Sequence, residues 1–155
     1  MKSLKTAFIL LLLVFPILSS CHKNSFGTTP EQKIVGTWLF EKVKFKPKGN
    51  ISYTDFTDAY VNCTVTFNDD WTLTAYDAKS DITAYGAWYI DWYTNYDEDD
   101  DTESTVYVLI GTMDNTSLGI INNVYWDELV VSNKKLTAIE EKDSGKYKYT
   151  MTRVD

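Results

Sequence analysis

Apolar and polar side chains alternate along most of this chain, and the alternation leaves little choice of fold. Val61, Cys63, Val65 and Phe67 are separated by Asn62, Thr64 and Thr66, the period-two pattern of a strand with one buried face. The same reading, in runs rich in Val, Thr, Tyr, Trp and Ile, predicts eight strands near 35–46, 60–68, 71–77, 84–93, 104–112, 123–131, 135–141 and 146–154. Short turns link several of them: Asn68-Asp69-Asp70, Ser132-Asn133-Lys134, and Asp143-Ser144-Gly145, whose glycine suits a positive φ. Two connections are longer. Pro47 to Ala59 joins the first two strands, and Thr94 to Glu103, built on Asp97-Glu98-Asp99-Asp100-Asp101, joins the fourth and fifth. A turn or two of helix is expected at most, near Tyr53–Asp58.

Sequential antiparallel strands expose sheet edges unless the sheet closes on itself. The expected fold class is therefore all-β, an eight-stranded antiparallel up-and-down barrel, with a two-sheet β-sandwich as the alternative. Aromatic residues make up 15% of the chain, enough bulk to fill either.

The N-terminus reads differently. Lys2 and Lys5 precede an apolar run from Ala7 to Leu18, too short for a mature membrane span, which ends in Leu18-Ser19-Ser20-Cys21. This is a secretory signal, and its small-small-Cys ending resembles the bacterial lipoprotein signal, which implies that Cys21 is lipidated and becomes the mature N-terminus. The expected organisation is a signal peptide over 1–20, the lipidated Cys and a flexible polar tether over 21–33, and one domain over 34–155. As a random coil the tether would span about 20 Å.

Charge narrows the partners. The precursor carries −7, and cleavage removes two lysines and no acid, which leaves −9. Such a chain is not expected to bind nucleic acid, whose phosphates attract Lys and Arg. Nor is it expected to adhere to an anionic membrane by charge, so the lipid carries the anchoring. The chain has two cysteines. With Cys21 lipidated, Cys63 has no intrachain partner, and its place on the apolar side of a strand predicts a buried thiol.

Several short motifs point to a family. The first strand reads Ile34-Val35-Gly36-Thr37-Trp38-Leu39-Phe40, the last ends Tyr147-Lys148-Tyr149-Thr150-Met151-Thr152-Arg153, and Val65-Thr66-Phe67-Asn68-Asp69-Asp70-Trp71-Thr72-Leu73, Gly86-Ala87-Trp88 and Leu136-Thr137 lie between. Gly36-x-Trp38 with a late Arg resembles the lipocalin signature. The hairpin resembles one found in lipocalin-like lipoproteins of the Bacteroidetes envelope, with Trp71 standing where that hairpin carries glycine. The resemblance covers residues 34–154. It implies a barrel in which Arg153 stacks on Trp38, a structural cation–π contact, and a lipid-anchored location in the outer membrane of a bacterial cell envelope.

The chemistry is sparse. The single His is His22, in the tether, so the domain has no imidazole for acid–base work. There is no nucleophile elbow, phosphate loop or His/Cys metal cluster. Asp69-Asp70 reads as a turn, and the run Asp97–Asp101 with Glu103, though rich in hard oxygen ligands, lacks the Gly-bearing spacing of a calcium loop. No catalysis, cofactor or metal is expected.

Two binding modes follow. In the first, the barrel holds one small hydrophobic or amphipathic molecule in a cavity lined by Cys63, Val65, Leu73, Trp88 and Ile90, with Tyr53 and Phe56 as a lid. In the second, large rings fill the barrel. Exposed aromatics around Tyr85, Tyr89, Tyr93 and Tyr96, beside Trp88 and Trp92, together with the acidic loop, then bind a glycan or an envelope protein.

Overall fold

The computed structural model describes residues 29–113 and 123–154. A short helix α1 (Pro30–Ile34) leads into β1 (Gly36–Pro47), and eight further strands follow: β2 (Thr54–Asp55), β3 (Thr64–Phe67), β4 (Thr72–Asp77), β5 (Ile82–Asp97), β6 (Thr102–Met113), β7 (Val124–Val131), β8 (Lys135–Lys142) and β9 (Gly145–Arg153). Strands β1 and β3 to β9 pair in chain order, all antiparallel, and β9 returns to β1 over a ladder from Trp38↔Arg153 to Pro47↔Gly145. This is the closed eight-stranded barrel that the alternation predicts, and it fits a lipocalin-like fold. The two-residue β2 is an extra piece laid against β1 at Lys44 and Phe45.

Three local expectations change. The folded unit begins before residue 34: Thr29 caps α1 through its side chain, and Ile34 is fully buried. The second strand starts at Thr64, because residues 57–60 form a 3-10 turn that tucks Tyr60 into the core. The segment near Tyr53–Asp58 leads into that 3-10 turn, within the turn or two of helix expected there, and adds the short strand β2. The connection from Thr94 to Glu103 is mostly strand. Pairing runs on to Tyr96↔Glu103 and Asp97↔Thr102, which leaves a tight turn at 98–101. Period-two alternation cannot find such strands, because every residue from Asp91 to Asp97 is exposed.

Glycine acts at two sites. Gly36 has φ +132°, open to a residue without a Cβ, and starts β1 at the barrel end. At Gly86 a Cβ would lie 1.8 Å from the Thr112 carbonyl oxygen, so β5 and β6 can approach only as they do. The chain bulges between Phe40 and Lys42. After the bulge Val43 and Phe45 turn inward in place of Lys42 and Lys44, and the apolar face stays in register.

Rings fill the interior. Trp126 meets Phe40, Phe67 and Tyr149 at centroid separations of 6.3, 6.1 and 5.4 Å. One end is plugged by Trp38, which is fully buried, donates its indole N–H to the Ile34 carbonyl at 2.7 Å, and lies 4.5 Å from the Arg153 guanidinium. Arg153 also donates to the carbonyls of Val35 at 2.6 Å, Asn133 at 3.0 Å and Lys33. The expected Trp–Arg contact thus also ties α1 and the β7–β8 turn to the barrel. The other end is closed by Phe45, Phe56, Tyr60 and Tyr147 in mutual contact.

Candidate functional site

Cys63, Val65, Leu73 and Trp88 are brought together as the strand pairing requires, each at most 3% exposed. They belong to one packed core cluster with the rings described above, and Ile90 packs against its edge. The space expected for a ligand is occupied by side chains. Cys63 is a free thiol that donates to Asp77 Oδ1 at 3.5 Å, and burial pushes its pKa up. The lid residues differ from expectation. Phe56 is part of the ring plug, packed on Phe45 and Tyr147. Tyr53 sits outside the barrel, its ring 5.4 Å from the ammonium groups of both Lys46 and Lys148, because the chain after Pro47 folds back over the outward side of β1. Cys21 and His22 lie outside the described residues.

Besides Asp77, which accepts from the Cys63 thiol, one further carboxylate is buried among the described residues. Glu140 is 4% exposed, accepts a hydrogen bond from the Tyr149 hydroxyl at 2.5 Å, and pairs with Lys142 at 3.1 Å. Burial raises its pKa, and the Tyr149 and Lys142 contacts only partly oppose that. Burial likewise raises Tyr149 and Tyr60. Every polar atom here has a partner, and the group offers no open face to a substrate. Among the described residues no three His, Cys, Asp or Glu side chains converge as a metal set. The carboxylates of the hairpin tip are exposed and spread along it.

What the fold leaves open is the outward side of β5, β6 and β7. Tyr85, Tyr89 and Tyr93 recur every fourth residue of β5 and therefore share that side, over roughly 26 Å. They are 65%, 51% and 43% exposed. The pairings Tyr89↔Ile110 and Ile110↔Tyr125 set Tyr125, also half exposed, in the same row across three strands. Tyr93 donates to Asp127 Oδ1 at 3.1 Å, so its ring is held over β6. A shallow cleft of about 480 Å³ borders Tyr85, between Thr72–Thr74 and Thr112. Monomeric proteins seldom leave a row of large rings in water.

The sequence already suggested the tyrosines of β5. Tyr125 and Ile110 were not legible, because only the register joins them to that row. On the opposite parity of the same hairpin, Trp92 is exposed, and with Tyr107 it lines a cleft against Thr29, Pro30 and Glu31. No family model matches the chain, and neither the curated proteins nor the solved structures include a match.

Proposed function

We propose that this chain is a non-catalytic lipoprotein of a bacterial envelope, of the lipocalin-like kind its motifs resemble. Cys21 is lipidated and anchors it in the outer membrane. The barrel serves as a packed scaffold, and the aromatic face of β5–β6–β7 binds a neutral glycan. The observation that carries the reading is the contrast between an interior filled by Trp38, Trp88 and Trp126 and the row Tyr85, Tyr89, Tyr93 and Tyr125 left in water.

Flat rings stack on the apolar faces of sugars, and phenol and carboxylate oxygens pair with hydroxyls. The carboxylates of Asp91, Asp127 and Glu128 and the tip 97–101 surround the rings, and they favour a neutral, hydroxyl-rich polymer over an anionic one. Lipid anchoring rests on the Lys2/Lys5, apolar-run and Cys21 pattern.

Gel retardation by neutral polysaccharides tests the binding. The intact protein is retarded by at least one of them, and Tyr89→Ala/Tyr93→Ala migrates freely while staying folded. Equal retardation of both proteins contradicts the site. Retardation of neither, alongside a fatty acid that quenches the buried tryptophans, restores the internal-ligand reading.

A further inference from the structure

Lysines gather on the side of the barrel formed by β1 and β9. Lys42, Lys44 and Lys46 alternate along the outward side of β1 once the bulge is passed, and Lys48 follows in the turn. Across the closing ladder Lys44 stands opposite Lys148, and Lys46 opposite Lys146. Like charges placed directly across a strand pair weaken a sheet. Two lysines nearby are taken up by acids, Lys146 by Glu141 at 3.6 Å and Lys142 by Glu140. Among the described residues no ion pair engages Lys42, Lys44, Lys46, Lys48 or Lys148, and the acids nearest them are Asp55 opposite Lys44, Glu41 next to Lys42, and Glu141 and Asp143 by the cleft at Lys46 and Lys48. A chain of net charge −7 has thus concentrated cations on one side of its barrel, with the Tyr53 ring and few carboxylates to meet them.

Apolar groups accompany the lysines. Ile51, in the loop that crosses this side, is 96% exposed, and Tyr53 lies between Lys46 and Lys148. The nearby cleft of about 420 Å³ is lined by Lys46, Lys48 and Lys142 and equally by Glu141 and Asp143, a mixture poorly suited to holding one small anion.

Net charge argues against adhesion to an anionic membrane, but the charge is unevenly placed, and we infer that this lysine side, with Ile51 at its tip, docks on an anionic lipid bilayer. Lysines along about 20 Å of outward strand meet a plane of phosphates, and the protruding Ile51 enters the headgroup layer beneath them. A soluble polyanion would satisfy the lysines and leave Ile51 in water. The acidic hairpin tip lies at the barrel end opposite the 48–53 loop, so the molecule carries a charge asymmetry that turns this side toward an anionic surface. In the strand order β5 is far from both β1 and β9, so docking leaves the aromatic face pointing away. The inference does not rest on the glycan reading.

The test is an environment-sensitive label at position 51, introduced by Ile51→Cys in the full chain with Cys21→Ala. An apolar N-terminus would hold the chain to any vesicle, but the label reports only this side of the barrel. Its emission is expected to shift to the blue on phosphatidylcholine vesicles containing about 30% phosphatidylglycerol and not on phosphatidylcholine alone. The shift is expected to vanish near 0.5 M salt, where the Debye length falls to about 4 Å. In Lys44→Glu/Lys46→Glu/Lys148→Glu the blue shift of the label on the anionic vesicles is expected to be lost. If that variant misfolds, the salt titration of the parent chain decides alone. An equal response on both vesicles, no response on either, or the same response to inorganic phosphate overturns the inference.

Discussion

The two halves of β5 carry the same kinds of residue into opposite environments. From Ile82 to Ile90 the strand lies in the barrel wall, paired with β4 up to Ala87 and with β6 from Gly86 onward, and Ala84 and Trp88 are buried. From Asp91 to Asp97 it pairs with β6 alone, and Trp92, Tyr93 and Tyr96 are exposed. Ring content therefore does not separate core from surface in this protein. Place along the strand does: Trp88 points into the closed barrel, and beyond Ile90 the strand runs on with β6 as an exposed arm. Rings with neighbours on every side hold the barrel together, and rings on the arm are free to meet something else.

The difference predicts unequal consequences of mutation. The largest belongs to the plug at the closed end. Trp38→Ala should cost about 3–5 kcal/mol, read by urea denaturation, because it empties a fully buried site. Arg153→Ala should cost less, and the double variant should fall short of the sum by more than about 0.5 kcal/mol, since both changes break one contact. Additive losses would mean that the guanidinium and the indole act separately. Next comes Val65→Trp. Val65 is fully buried in the packed cluster, so the larger ring should destabilise the barrel by about 1–3 kcal/mol. If the melting temperature held, the interior would have room and the contrast between interior and arm would fail.

These interior sites were largely legible in advance. The alternation located all eight barrel strands, and Arg153 lies over Trp38 as the resemblance implies. Two things were hidden. The outer half of β5 lacks a buried face, so nothing in its pattern distinguishes a paired strand from an acidic loop. Trp71 marks the other limit. It occupies φ +66° in the β3–β4 turn, where glycine is the usual choice, and its ring packs at a tilt on Trp88, centroids 4.9 Å apart. The sequence shows the departure from glycine, but only the fold shows the ring contact that accompanies it. The lysine row was visible as Lys42-Val43-Lys44-Phe45-Lys46-Pro47-Lys48. It gained meaning once the closing ladder set β9 lysines opposite it.

A subtler interior effect concerns pH. Burial raises the Glu140 pKa above its ordinary 4.5, so the folded state holds this proton more tightly than the unfolded chain. Its contribution is greatest below pH 4.5 and declines as pH rises through the higher folded value. Glu140→Gln should remove that part of the slope in a stability–pH series. An unchanged slope would place the titration elsewhere. The smallest stability change is expected on the outward side of β5. Tyr89→Ala should move stability by no more than about 0.5 kcal/mol, as for an exposed position, while reducing glycan retardation.

A ring-resolved NMR titration tests the division between the filled interior and the outward tyrosine row most directly, with neutral oligosaccharides in one series and a fatty acid in the other. The account predicts that the oligosaccharide shifts the ring resonances of Tyr85, Tyr89, Tyr93 and Tyr125, and that Trp38, Trp126 and Tyr149 stay in place throughout. Shifts of Trp88 and Trp126 with the fatty acid, and a silent tyrosine row, would contradict it.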